Sequence, residues 1–449
     1  MNTASHDPYA LRGTLIDCDA VADTAVGSEA LRIIEDGALI IEDGHIIARG
    51  PAAEVLTGDR SHLTMHDYSG RWLLPGFIDS HIHYPQTDII ASFGSQLLEW
   101  LERYTFPAEA SFADPEVARE TADFFLQELF RNGTTSANVL GTVHAQSADA
   151  IFEAAQHHGM RLIAGKVMMD RNCPEAIQDT PESGYRDSRE LLERWHGVDR
   201  LRYAITPRFA PTSSDAQLQK TSELAREFPD AYLHTHLAEN RNEVAWVGEL
   251  FPWARSYMDV YDHYGLVRER SVFAHCIYLD DTDRRRMADT GAAIAFSPTS
   301  NTFLGSGLLE YRDARATGIR VGLATDVGGG SSFSMFRTAS EAYKVSCLNG
   351  TPLSAASLLH LATRGSADAL DIADRVGSLD ADKEADIIVV DPAATPLTAR
   401  RTAPATLQES LFALLMLGDD RHIETTYVGG RIVHQKNAHA PGSVPERKP

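Results

Sequence analysis

Two histidines one residue apart, His81 and His83, close the run Trp72-Leu73-Leu74-Pro75-Gly76-Phe77-Ile78-Asp79-Ser80. Side chains alternate along a strand with period two, so His-x-His at a strand end presents both imidazoles on one side. Two neutral imidazoles so placed are half of a divalent metal site. His236, Glu239, His275 and Asp326 each follow a further apolar run. The expected ligands are His81, His83, His236 and Asp326. Three imidazoles and a carboxylate suit Zn²⁺ and leave a position for water; Fe²⁺ accepts the same donors. Water on zinc ionises near a pKa of about 7, so hydroxide is available at neutral pH. Glu239 is then the natural proton shuttle. His275 can orient the attacking oxygen, and Asp326 can both bind metal and accept its hydrogen bond. The chemistry these residues point to is metal-dependent hydrolysis.

Those residues need a scaffold that brings strand ends together. Eight strand-like runs occur at 72–78, 134–140, 161–168, 201–206, 231–235, 271–274, 292–296 and 320–324. Amphipathic helical stretches lie between them, such as 116–131, 147–158 and 215–227. Alternation of this kind predicts an α/β fold, a (β/α)8 TIM-like barrel, typically about 250 residues plus insertions. Active sites of such barrels gather at the C-terminal strand ends. Every candidate residue falls at such an end, so the hydrophobic pattern and the chemistry agree independently. The flanks differ. Leu31-Arg32-Ile33-Ile34, Ala38-Leu39-Ile40-Ile41 and His45-Ile46-Ile47-Ala48 are separated by Glu35-Asp36-Gly37 and Glu42-Asp43-Gly44, both of which read as hairpin turns. The C-terminus carries similar β-rich runs at 385–390 and 425–433. The predicted division is a composite β-rich domain from 1–71 and 375–449 and a barrel over 72–374.

Composition narrows the partners. Lys+Arg 41 against Asp+Glu 63 gives a net charge of -22 over 449 residues. A binder of nucleic acid or of an anionic membrane needs a basic surface, so neither is expected as a partner. Cys18, Cys173, Cys276 and Cys347 are scattered, with no CxxC pair. That excludes a cysteine zinc knuckle, and also the deaminase architecture built on H-x-E with P-C-x-x-C. The polar N-terminus and the lack of a long apolar run predict a soluble cytoplasmic protein.

Other histidines and lysines have plainer readings. His234 should face the same way as His236 but deeper, as an interior polar residue rather than a ligand. His157-His158 precedes Gly159, where a helix C-cap suffices. Lys166, inside a strand, reads as an interior lysine with a satisfied charge.

The chain resembles the guanine deaminases of the amidohydrolase superfamily. The general superfamily features are the stretch from Pro75 to His83, Thr235-His236-Leu237-Ala238-Glu239 and Ala324-Thr325-Asp326. The more specific ones are Leu97-Leu98-Glu99-Trp100-Leu101 with Tyr104-Thr105-Phe106-Pro107-Ala108-Glu109, Gly165-Lys166-Val167-Met168-Met169-Asp170 and Thr206-Pro207-Arg208-Phe209. To these add Glu239-Asn240-Arg241-Asn242-Glu243-Val244, Ser297-Pro298-Thr299-Ser300-Asn301 with Leu304-Gly305-Ser306-Gly307, and Thr325-Asp326-Val327-Gly328-Gly329-Gly330. The resemblance implies hydrolysis of guanine, a purine base, to xanthine and ammonia, by attack of metal-activated hydroxide on C2 while Glu239 carries a proton to N3. It implies substrate contacts from Gln86, Arg208 and Phe209, with His83 and Glu239 bordering the same site. Arg208 can donate to O6, Gln86 can donate and accept along one edge, and Phe209 can line the purine plane. Arg208 could instead pair with a neighbouring carboxylate. Related two-metal sites carry a bridging lysine where this chain has Arg208, so one metal per chain is expected. A homodimer is also implied. Two rival readings share the fold: a superfamily enzyme acting on a triazine, cytosine or adenosine-like heterocycle, and a non-catalytic barrel.

Overall fold

The protein is described by a computed structural model covering residues 7–18, 30–94 and 96–436. In chain order its strands are β1 (Tyr9–Cys18), β2 (Leu31–Glu42), β3 (His45–Pro51), β4 (Thr64–Pro75), β5 (Phe77–His83), β6 (Thr134–Leu140), β7 (Arg161–Gly165), β8 (Val167–Met168), β9 (Leu201–Pro207), β10 (Tyr232–Leu237), β11 (Ser271–His275), β12 (Ala293–Phe296), β13 (Arg320–Leu323), β14 (Ile387–Val390), β15 (Ile423–Val428) and β16 (Arg431–Gln435). They form two sheets. One runs β16-β15-β14-β4-β1-β2-β3 and so joins the two ends of the chain. The other runs from β5 to β13 in sequence order, all parallel, with β8 a short addition beside β9.

The parallel sheet curls until its edges meet. Across that seam the Asp326 N–H donates to the His81 carbonyl at 3.0 Å, and the His83 N–H to the Val327 carbonyl at 2.8 Å. The seam therefore sets two expected ligand segments side by side. Helices between the strands wrap the outside, as a (β/α)8 barrel requires. The helix Pro115–Arg131 starts where Asp114 accepts the Glu116 N–H at 2.9 Å. The helix Ala145–His158 stops at Gly159, whose φ of 68° is the left-handed cap. The helix Asp215–Glu227 spans the predicted residues. The floor of the barrel is sealed by apolar contacts among Ile163, Ala204, Tyr232 and Val272 from the strands and Ala367, Leu370 and Ile372 from the segment after β13. With the floor closed, chemistry is left to the opposite rim.

Three local expectations are corrected. The predicted strand 72–78 is two strands that belong to different sheets. Trp72 to Pro75 ends β4, paired with β14, and β5 begins at Phe77, so the sheet changes at Gly76. The second correction concerns Glu35-Asp36-Gly37, which is not a turn: β2 runs straight through it. Its glycine serves close packing, since a Cβ on Gly37 would sit 2.5 Å from Leu15 Cγ, opposite a bulge in β1. Only Asp43-Gly44 turns, with φ of 46° and 79°. Third, the run 425–433 is a hairpin that turns at Gly429-Gly430. Between β14 and β15 the chain also forms the helices Pro396–Thr402 and Leu407–Leu417.

Candidate active site

β5 carries His81 and His83, both buried, to the rim. β10 carries His236, β11 carries His275, and Asp326 follows β13. The His83 Nε2 stands 3.2 Å from His81 Nε2 and 3.1 Å from His236 Nε2. Asp326 Oδ1 is 3.1 Å from His81 Nε2 and 3.4 Å from His83 Nε2. The His275 Nε2 lies 3.4 Å from Glu239 Oε2 and 3.7 Å from Asp326 Oδ2.

These residues fit a divalent cation. Ligands held about 2.0–2.1 Å from a tetrahedral metal stand roughly 3.3–3.4 Å from one another, close to the spacings just given. The ring orientations agree. The His236 Nδ1 meets the Arg208 carbonyl at 2.7 Å. A carbonyl only accepts, so Nδ1 carries the proton and Nε2 offers its lone pair inward. The His81 Nδ1 leans on His234 Nε2 at 2.7 Å, which makes His234 a support for a ligand rather than a ligand. Burial keeps the rings neutral: His81 lies below its ordinary value, His83 at about 3 and His236 well below. Burial would raise the Asp326 carboxyl, but its contacts with His81 and His83 hold it well below the usual carboxylate range. Neutral imidazoles around an ionised carboxylate are the protonation states a metal needs.

The backbone around the site is bent at cost. Ala238, His275 and Asp326 have φ of 51°, 70° and 51°, a region non-glycine residues avoid, at about 1–3 kcal/mol each. These bends occur where β10, β11 and β13 give way to loops. At Ala238 the bend precedes Glu239.

Glu239 is buried, and burial followed by the charge of Asp326 raises its carboxyl to about 8. Its Oε1 accepts the Ser306 hydroxyl at 2.9 Å. The His275 Nδ1 faces Asn301 Oδ1 at 2.8 Å, which leaves Nε2 directed toward Glu239 and Asp326. Glu243 accepts the backbone N–H groups of Glu239 and Asn240 at 2.8 and 3.1 Å.

A cavity over this cluster has His83, His236, Glu239, His275 and Asp326 at its base. Leu97, Trp100, Leu101, Phe209 and Leu304 make apolar walls, and Gln86 and Arg208 supply polar edges. Arg208 also makes the carboxylate pairing that its sequence left open, with Glu109 at 2.7 Å. Every site residue expected from sequence except His81 lines this cavity, and His81 lies against two that do, His83 and Asp326. Four partners carried no expected role: Glu109, Glu243, Asn301 and Ser306. Glu243 had a readable signal, since Asn240-x-x-Glu243 is a capping box, which the helix Arg241–Leu250 confirms. The other three act across long sequence separations that no local pattern encodes. Lys166, as expected, is satisfied, by Asp179 at 2.5 Å.

A profile of the amidohydrolase family matches residues 72–433. The chain is 48% identical over 439 residues to a guanine deaminase of Escherichia coli (strain K12), covering 97% of this chain and 100% of that one. It is 41% identical over 420 residues to a probable guanine deaminase of Deinococcus radiodurans, covering 92% and 96%. The solved structure of the E. coli guanine deaminase superposes with a TM-score of 0.93 over 96% of this chain and all of that one. A guanine deaminase from C. acetobutylicum, solved with guanine bound in its active site, is 27% identical and superposes with a TM-score of 0.87, covering 95% and 100%.

Proposed function

This chain belongs to the amidohydrolase family, and we propose that its rim site hydrolyses guanine to xanthine and ammonia, cleaving the C–N bond of a cyclic amidine. The observation that carries this reading is one cavity holding a metal-binding cluster, a buried carboxyl and a polar edge suited to a purine. His81, His83, His236 and Asp326 would hold one Zn²⁺. When bound, it would supply an acidified water as the nucleophile.

The chain's own groups do the rest. Arg208 donates to guanine O6, and Gln86 engages the same edge. Phe209, with Trp246 packed against it at 6.4 Å between ring centroids, lines the purine plane. The apolar walls exclude bulk water. Glu239, which a cation in this site would hold ionised, takes a proton from the attacking water and delivers it to N3 as the oxygen adds to C2 and makes it tetrahedral. Asp326 and His275 hold the oxygen now on C2; the Asn301 contact leaves His275 Nε2 facing it. Glu239 then takes the remaining proton of that oxygen and passes it to the C2 amino group, which departs as ammonia as the C2 carbonyl forms. The proposal extends to a cytoplasmic protein and to a homodimer; the homodimer rests on the resemblance to guanine deaminases.

The test follows ammonia release together with the loss of guanine ultraviolet absorbance, in protein of known metal content. Conversion of guanine to xanthine supports the reading. A metal-loaded protein that leaves guanine untouched but deaminates another amino-heterocycle keeps the hydrolase and discards the substrate.

A further inference from the structure

In the proposed function Arg208 and Gln86 meet the substrate, and the orientation of each is set by a neighbour. Both converge on Glu109, a carboxylate outside the cavity lining. Glu109 sits on the helix Phe106–Ala110 and is fully buried. Its Oε1 and Oε2 accept from the Arg208 Nη1 at 2.8 and 2.7 Å. Its Oε1 also accepts from the Gln86 Nε2 at 3.1 Å. Both bonds to Glu109 use Nη1, and Arg208 borders the cavity.

Gln86 is held at its other end too. Its Oε1 accepts the Gly328 N–H at 3.2 Å. A carboxylate can only accept and a backbone N–H can only donate, so these two contacts fix which end of the amide is which. The loop after β13 reaches Gln86 because residue 328 is glycine: a Cβ there would lie 2.7 Å from the Gln86 carbonyl oxygen. Arg208 is further braced by the Phe106 ring, 5.7 Å below its guanidinium carbon. One anion therefore sets the donor face of two side chains that come from separate segments of the barrel rim.

We propose that Glu109 is the positioning residue that selects a purine bearing an oxygen at C6. It turns one guanidinium edge toward the cavity as a fixed pair of donors. Donors held this way reward a carbonyl and leave an amino or hydrogen-bearing C6 unmatched, and a site built around such donors discriminates strongly. This inference rests on guanine as the substrate.

The experiment compares guanine with 2-aminopurine, which keeps the C2 amino group and has only hydrogen at C6. Turnover of 2-aminopurine, or its inhibition constant against guanine, is measured in wild type, Glu109→Gln, Arg208→Met and the double variant, each with its metal content. Glu109→Gln keeps the shape and removes the charge. The expected result is a loss of about tenfold or more in kcat/KM for guanine, mostly in KM, with 2-aminopurine little changed. The double variant should then lose less than about threefold beyond Arg208→Met alone, because Glu109 acts through Arg208. Equal losses for both purines, or no loss, overturn the proposal. If Glu109→Gln does not fold, Glu109→Asp keeps the charge but draws it back by one methylene, and the same ratio is read. Wild type that leaves guanine untouched overturns the substrate reading instead, so the two failures are distinguishable.

Discussion

The carboxylate of Glu243 accepts the backbone N–H of Glu239 at 2.8 Å, so the helix cap and the proposed proton carrier are one mechanical unit. The same carboxylate accepts from Tyr257 at 2.9 Å and is raised to about 7, by burial and then by the charge of Glu239. Removing it with Glu243→Ala leaves the buried N–H groups of Glu239 and Asn240 unpaired, which should cost about 1–3 kcal/mol, and also loosens the placement of Glu239. The expected outcome is a lower Tm together with a fall in kcat larger than any rise in KM. A lower Tm with unchanged kcat would leave Glu243 as a cap and nothing more.

Glu239→Gln tests the proposed proton transfer itself. The amide keeps the size of the side chain and can still meet Ser306, but it cannot take a proton. Removing a general acid–base of this kind costs about 10²–10⁴ in rate. The variant should lose kcat on that scale while holding the same metal per chain as wild type. Turnover near the wild-type rate with full metal content would move the proton transfer to another residue.

The two variants bear on what a sequence can reveal. His81-x-His83 was legible because a strand's period of two is a local rule, and Asp326 because it ends an apolar run. The expectation for 72–78 failed at Gly76 because a continuous apolar run carries no mark of which sheet each half joins. Glu35-Asp36-Gly37 misled for a related reason: Asp-Gly favours a turn locally, but contact with Leu15 explains the glycine, and that contact is tertiary. Glu109 is the clearest case. Its partners lie 23 and 99 residues away, so only the folded rim shows why a carboxylate is buried there.

Metal removal should have two separable effects. A cation bound by four converging side chains stabilises the folded state by its own binding free energy. Without it, neutral imidazoles and an ionised carboxylate are left crowded at 3.1–3.4 Å. Chelation should therefore abolish activity and lower Tm, and Zn²⁺ should restore both at one equivalent per chain. Restoration that needs two equivalents would overturn the single-metal expectation drawn from Arg208. Persistence of full activity in metal-free protein would remove the metal from the reaction.

The sheet that joins the two chain ends makes its own prediction about acid. Asp17 on β1 accepts from Arg32 on β2 at 2.5 Å and from Arg49 on β3 at 3.0 Å, and both arginines also reach Asp380, at 2.7 and 3.3 Å. Asp380 therefore ties the C-terminal segment to two N-terminal strands, β2 and β3. Partial burial alone would raise its carboxyl, but hydrogen bonds from Arg32 and Ser378 and the charges of Arg32 and Arg49 bring it down to about 2. An unfolded aspartate ionises near about 3.9. The folded value is the lower one, so ionised Asp380 stabilises the native state fully above roughly pH 4, and this contribution fades as pH falls toward about 2. Asp380→Asn cannot titrate. It should melt below wild type at neutral pH, and the gap between the two Tm values should close from about pH 4 to about pH 2. Loss of metal at low pH affects both proteins alike and cancels in that difference. A gap that stays constant or widens on acidification would show that the Asp380 charge does not hold the two ends of the chain together.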